Sequence, residues 1–599
     1  MPLFLCHRIW KRMSDNIYLL YDFIANRNAV YSFSLSKVMT RSFLVFSLMV
    51  MARTLCLGQE PNPFILRALD KTELYVGSNE NFHSALRYDI RGAALDQLFK
   101  GNELKVNQVN AVYLQNEYRD QLWLEDDKAP KDSTSGGFWS SFYKTPETFF
   151  KVRKDNFSLD IDPVFYFGLG DDSKDDETIF QNTRGLTVEG KLGEKLYFYT
   201  QVLETQRRFF NYIERDISQR NAIPGQGFFK EYRSSIFSSL DGWDYLNSQA
   251  FINYQISDFV NFTFGHGRNF IGHGYHSLLL NDYAQNYLYL KFNTVFWKVH
   301  YQNIFAELSA LAGRDLPGNT LLPRKYLAAH YLDVNLTKNF SIGFFESVIF
   351  SRDGGFDLQY LNPIMLYRAV EQFTDSPDNV LMGLNAKYNV RRFGQIYGQL
   401  LIDELRVSEA FSGNGWWGNK VGYQIGVKVL DLLGVSNLDW LTEFNTARPF
   451  TYAHRPSVEN NDIIASYSHY NQPLAHPLGS NFREWVNVIS YQPSAKWHIQ
   501  AKVFLVTKGE DNADENNGGD LLKDYSSRVS DFGNFTTQGL ERRVSSTAIY
   551  ITWMPMHNFY VGVEYLYRRD NTEDERVDLN NNYFGLSFRV NTFTQKLDY

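Results

Sequence analysis

Cysteine is nearly absent from the 599 residues: Cys6 and Cys56 are the whole complement, and both lie near the N-terminus. Neither a disulfide framework nor a cysteine-built zinc site can therefore form further along the chain. Long apolar runs are missing as well. The clearest, Phe43 to Met51, covers nine residues, whereas a helix needs about 20 to cross a bilayer, so a helical membrane protein is excluded. Basic charge is outweighed by acidic charge beyond the first segment: residues 1–58 carry net +5, which leaves −12 for the rest of a chain whose formal total is −7. That balance argues against nucleic acid as a partner. Catalytic signatures are also missing, with no Gly-x-Ser-x-Gly elbow, no phosphate-binding loop ending in Lys-Ser or Lys-Thr, and no His-Glu-x-x-His. The chain reads as a non-enzyme without cofactor or metal.

Aromatic residues are abundant instead, at 16%, while the mean hydropathy is only −0.36. Apolar mass is thus spread thinly, as a wall with one apolar face requires. The spread has period 2. Val421, Tyr423, Ile425, Val427 and Val429 alternate with Gly422, Gln424, Gly426 and Lys428; Phe584, Leu586, Phe588 and Val590 oppose Ser587 and Arg589. Eighteen such segments fall between 157 and 592, including 249–256, 545–554 and 558–567. Short links such as Gly193-Glu194 and Ser257-Asp258 take turns with long ones at 207–248, 266–285, 304–326, 351–379, 405–419, 447–483, 507–544 and 568–581. This is the connection pattern of an outer-membrane barrel, with short periplasmic turns and long outer loops. The expected fold is all-β: a transmembrane antiparallel β-barrel of about 18 strands over 151–599, with outer-membrane lipids and the outer-membrane assembly machinery as partners.

Two segments precede the barrel. Met39-Thr40-Arg41, the apolar run to Met51 and Cys56-Leu57-Gly58 have the order of a signal peptide, so 1–58 reads as a leader (signal 39–58) cut after Gly58. Residues 59–150 read as a small, partly helical periplasmic extension, with Phe82, Leu86, Ile90, Ala93 and Leu98 at helical spacing. The 207–248 loop carries helical character near 209–218 and suits a lumen plug or a surface excursion equally.

Binding sugar with a loop takes flat apolar faces beside polar side chains. Trp416 and Trp417 stand among glycines and asparagines; Tyr467, His469, Tyr470 and Asn471 form a second such stretch. The alternative for the tryptophan pair is the aromatic girdle of the membrane surface. His266, Arg268, His273 and His276 make a third candidate. Three histidines in eleven residues could hold a metal, but no fixed ligand spacing supports it, and glycines beside aromatics here more often shape a tight loop.

The stretch Gly265 to Ala284, with its core Ser277-Leu278-Leu279-Leu280-Asn281-Asp282, resembles the Wzi-type capsule assembly family. Tyr360 to Arg368 and Ser468 to Gly479 resemble its Bacteroidetes branch, which includes gliding-motility-associated RemB-like proteins. The resemblance implies an 18-stranded outer-membrane barrel that holds surface polysaccharide like a lectin, and its gliding-associated branch adds the expectation of a link to gliding. The competing expectation is a channel, with Lys428, Lys502, Glu564 and Arg589 facing an aqueous lumen.

Overall fold

A computed structural model describes residues 142–592 apart from short interruptions, together with Arg67, Asp70, Lys71, Glu73, Leu74 and 83–86. The leader, both cysteines and most of 59–141 lie outside the described residues. No helix among those described is long and apolar enough to cross a membrane.

Eighteen antiparallel strands form the wall. In chain order they are β1 (Phe157–Asp172), β2 (Glu177–Leu192), β3 (Leu196–Arg207), β4 (Asp241–Gln255), β5 (Val260–Gly267), β6 (Tyr287–Phe296), β7 (Val299–Ser309), β8 (Arg324–Asn335) and β9 (Phe340–Phe350). The second half comprises β10 (Asn379–Val390), β11 (Gly394–Glu404), β12 (Lys420–Val429), β13 (Leu438–Ala447), β14 (Phe482–Ser494), β15 (Trp497–Glu510), β16 (Leu540–Met556), β17 (Phe559–Thr572) and β18 (Asn581–Val590). Each pairs with its sequence neighbour, and β18 returns to β1 with Val590 opposite Phe165 and Tyr583 opposite Asp172, so the sheet closes. The lower part of β1 pairs with the strand Thr148–Lys154 instead.

The alternation sorts side chains as the sequence pattern predicts. Tyr423 and Ile425 are 53% and 57% exposed on the outside, while Gln424 between them is 3% exposed on the lumen side. Arg589 and Lys502 point inward and are buried. Every expected strand is present, but several run further at the long-loop end: β4 starts at Asp241 rather than 249, and β17 ends at Thr572 rather than 567. Hydrogen-bonded pairing continues there without the one-sided apolar pattern that marked the wall. The first long-side link shrinks correspondingly, with β1 reaching Asp172 and β2 starting at Glu177.

Candidate functional site

The inside of the barrel is occupied by the chain's own loops. The β5–β6 connection turns into the lumen, driven by Leu278, Leu279 and Leu280, which are fully buried against wall residues Leu327, Ile349, Leu381 and Leu401. An inserted loop brings backbone N–H groups that must find partners, and the wall supplies them. Glu443 on β13 accepts the N–H of Tyr275 at 2.6 Å and of His276 at 3.1 Å. It also accepts the Tyr397 hydroxyl and the Asn445 amide, each at 2.8 Å. The Gln399 side-chain oxygen accepts the Leu278 N–H at 2.8 Å, and Gln424 donates to the His276 carbonyl at 2.9 Å. Glycine is required at 274, because a Cβ there would lie 2.2 Å from Glu443 Oε2.

Two further long loops fold inward beside it. The helix α1 (Asn211–Arg220) buries Tyr212, Ile213 and Ile217 against Ile179, Tyr245 and Tyr583 of the wall, so this part of the 207–248 connection is a plug element, while Phe229–Arg233 pairs with the start of β4. The 448–481 loop buries Tyr452 and Tyr467, whose hydroxyls donate to the carbonyls of Leu278 and Leu279 at 2.8 Å. The loops also lock to each other: Asn471 donates to the Arg220 carbonyl at 3.0 Å, and Gln472 donates to Gln226 O at 2.7 Å.

From the short-turn end the upstream segment enters as a row of complementary charges. Lys428 bonds Asp70 at 2.9 Å, Lys71 bonds Asp431 at 2.7 Å, and His83 Nδ1 lies 2.6 Å from Asp333. Arg67 pairs with Asp439, and Glu73 with Lys387. Gly272 N–H donates to Ala85 O at 2.9 Å, so this segment meets the β5–β6 loop inside the barrel. Residues 83–86, where a helix over 80–100 is expected from spacing, form a turn. Glu73 is 1% exposed. Removing one partner of such a buried ion pair typically costs about 3–5 kcal/mol, so Glu73→Gln should release the segment from the lumen while the wall stays closed. Faster proteolysis of the N-terminal part, with unchanged heat-modifiable gel mobility of the barrel, is the expected readout.

These facts relocate the residues expected to bind. Tyr467, His469, Tyr470 and Asn471 are all buried, as parts of the inward fold and not of a loop tip. His266, Arg268, His273 and His276 are not brought together. His266 lies on the outer face of β5 with Nδ1 3.0 Å from Ser248 O, and Arg268 holds Asn286 Oδ1 at 3.1 Å and Asp282 O at 3.0 Å. His276 meets His476 and Glu484, three potential ligands within 4.8 Å of one another. There the His476 Nδ1 accepts the Leu478 N–H at 3.2 Å, which leaves Nε2 to donate to Glu484 at 2.8 Å. The same carboxylate oxygen accepts the Asn445 amide at 2.9 Å.

Burial holds the three histidines of the 448–481 loop neutral: His469 is lowered to about 3, His454 to about 4 and His476 well below its ordinary value, in each case chiefly by desolvation. His469 Nδ1 accepts the Ser309 N–H at 2.9 Å, a bond that protonation destroys. A detached loop takes up protons below the ordinary histidine value, and the docked loop refuses them. Docking is therefore fully stable above about pH 6.5 and weakens on acidification by about 1.4 kcal/mol per pH unit and histidine. Hydrogen exchange of 465–476 should accelerate from pH 7 to pH 5, and His469→Gln should flatten the dependence.

Trp416 and Trp417 lie at the long-loop rim, held there by a neighbouring loop. The 405–419 loop is clipped to the 511–539 loop by Trp417 N–H to Asp531 O at 2.9 Å, Gly533 N–H to Asn414 O at 2.9 Å and Asn534 N–H to Gly415 O at 2.8 Å. Arg406 stacks on Trp416 at 4.4 Å and Arg528 on Trp417 at 4.1 Å. Tyr525 lies 4.9 Å from the Trp417 ring. Burial pushes the Tyr525 hydroxyl up to about 12, so it stays a neutral donor. Phe411, Phe532 and Phe535 on the same two loops are exposed. The partners from 525–535 escape sequence reading because that stretch has no alternation and no dense aromatic pair. The apolar girdle is found at the short-turn end, where Phe259, Phe296, Trp297 and Phe393 are exposed and Trp497 stacks on Trp553 at 6.1 Å.

No protein-family model matches the sequence, and no curated protein matches it. Among solved structures the chain is similar to Wzi from Escherichia coli, described as an outer membrane protein involved in group 1 capsule assembly and a carbohydrate-binding β-barrel. The two share 10% identity and a TM-score of 0.45, over 72% of this chain and 84% of that one. It is also similar to the outer membrane protein OprD from Pseudomonas aeruginosa, at 10% identity and TM-score 0.38 over 72% and 92%, and to OpdQ from the same organism, at 10% identity and TM-score 0.36 over 73% and 98%.

Proposed function

We propose that the chain is a non-enzymatic outer-membrane barrel that holds surface polysaccharide on its rim and does not pass solutes through its lumen. The observation that carries this reading is the meeting of inward loops across the lumen, locked by Glu443, Gln399 and Gln472, beneath a rim rich in aromatic and arginine side chains. A porin keeps its polar wall wet, whereas here Lys428, Lys387 and Asp439 are spent on ion pairs with the upstream segment. The outward apolar residues support insertion in a membrane, as alternation in a spanning barrel demands. Trp416 with Arg406, and the exposed Phe411, Phe532 and Phe535, supply flat faces for sugar C–H groups and donors for hydroxyls or carboxylates. Binding of the producer's own polysaccharide to the purified full-length protein tests the proposal. No binding, together with an unchanged surface coat in a deletion strain, would refute it.

A further inference from the structure

One long loop goes the other way. The β9–β10 connection folds down the outside of the wall, where Tyr360, Tyr367 and Val370 are buried against Phe305, Tyr326, Val348 and Phe350. These wall residues share the outward face with Phe344 and Met382, which are exposed at 48% and 43%.

Beneath the loop the outward wall is polar. Asn303 pairs with His330, His330 with Glu346 and Glu346 with Met382, so three polar side chains form one lateral row across β7, β8 and β9. One pair closer to the short turns, Phe344 opposes Leu384, and both are exposed outward. On the long-loop side the next outward pairs are Phe305 with Ala328 and Ala328 with Val348, so apolar wall flanks the polar row on both sides.

The loop covers that row and bonds part of it. His330 is sandwiched between Tyr301 and Tyr367, with ring centroids at 5.8 and 4.0 Å. Its Nδ1 lies 2.7 Å from Asn303 Oδ1, and Glu346 accepts the Arg368 N–H at 3.1 Å. Several of the loop's own backbone N–H groups also find partners within the protein. Tyr360 N–H bonds Asp357 O at 3.1 Å, Ile364 N–H bonds Asn362 Oδ1 at 3.2 Å, and Ala369 N–H bonds Leu366 O at 3.0 Å. The carbonyl of Pro363, which has no N–H, accepts the Tyr301 hydroxyl. Irregular backbone tolerates hydrocarbon only when its polar groups find partners within the protein. Leu358, Ile364 and Leu366 are 74%, 86% and 68% exposed, with Leu361 beside them, and the exposed polar residues of the segment are Gln359, Asn362 and Arg368.

We propose that the segment 357–370 is embedded in the bilayer as part of the barrel's lipid-facing surface. Its Leu358, Leu361, Ile364 and Leu366 contact acyl chains, and it covers a polar row that lipid could not solvate. The occupant of this apolar edge is lipid, because the edge continues the exposed belt of Phe344, Met382 and Leu384 at the same height. The inference rests on the reading of the chain as a membrane-spanning barrel, and the test separates the two.

Single cysteines at Ile364→Cys, at the bare wall position Ile425→Cys and at the rim position Phe411→Cys carry an environment-sensitive fluorophore, in full-length protein whose Cys6 and Cys56 are replaced by Ser. The protein is reconstituted in phosphatidylcholine vesicles with brominated acyl chains, and folding is checked by heat-modifiable mobility. Leu366→Cys replaces Ile364→Cys if the latter fails to assemble. The expected result is loss of fluorescence to brominated chains at 364 and 425, and to aqueous iodide at 411 only. Iodide access at 364 with lipid quenching at 425 overturns the inference and leaves the barrel reading intact. Shielding of 364 from both quenchers, with 364–364 crosslinking, overturns it in favour of a second copy of the chain. Absence of lipid quenching at 425 removes the barrel reading and the inference with it.

Discussion

Planar-bilayer recordings of the intact protein should show no steady current, and a variant in which 270–284 is replaced by a short Gly-Ser linker should conduct. The loop contributes Leu278 to Leu280 to the interior cluster and joins the upstream segment through Gly272 and Ala85. Its removal strips packing from the wall between β8 and β11 and leaves Gln399, Gln424 and Glu443 facing water. A milder change points the same way. Glu443→Ala strands the N–H groups of Tyr275 and His276, the Tyr397 hydroxyl and the Asn445 amide, each a loss of about 1–3 kcal/mol if left unpaired in a buried site. The loop should then open intermittently, seen as brief current steps. Gly274→Ala should act similarly through its clash with the same carboxylate. Wild-type protein that passes steady current in the manner of a porin would defeat the anchoring reading.

Replacing Arg406 and Trp416 together with Ala should lower polysaccharide retention more than tenfold without affecting assembly. Stacking on an aromatic face is worth about 1–3 kcal/mol per contact by analogy with nucleobases, and each 1.4 kcal/mol is a factor of ten. Trp416 rests on Gly418 and is capped by Arg406, so its open edge and the exposed guanidinium are available together. Trp417 is packed between Arg528 and Tyr525, and Trp417→Ala should loosen both rim loops as well. Tyr467→Ala and Tyr470→Ala test the other stretch marked in the sequence. Buried as these rings are, their loss should appear first as poorer folding, on the scale of about 3–5 kcal/mol for a large aromatic. Equal, full binding by the Arg406 and Trp416 variant would remove this rim from the site.

Much of the architecture is legible in the residues alone. Alternation in a strand is local: Val421 to Val429 declare two faces without reference to any other segment, and closure then follows from strand number and link length. Strand ends were less legible, since β4 and β17 extend past the one-sided pattern into a region where neither face is uniformly apolar. The destinations of the loops were not legible at all. An apolar run such as Leu278-Leu279-Leu280 must be covered, but it does not state by what. Glu443, which accepts the Tyr275 and His276 N–H groups of the same loop, lies 168 positions from Tyr275 in the chain and becomes a partner only when the wall closes.

For the same reason the described parts of the long loops, similar in composition, part ways: those of 268–286 and 448–481 go into the lumen, those of 351–378 go down the outer wall, and those of 405–419 and 511–539 stay at the rim. Sequence by itself determined an all-β chain of 18 amphipathic strands with long loops at one end, because period-2 burial needs only neighbouring residues. Tertiary structure alone decided which aromatic residues lie open at the rim and which are interior packing. That choice depends on hydrogen-bond partners and apolar surfaces contributed by distant strands, brought together only by closing the sheet.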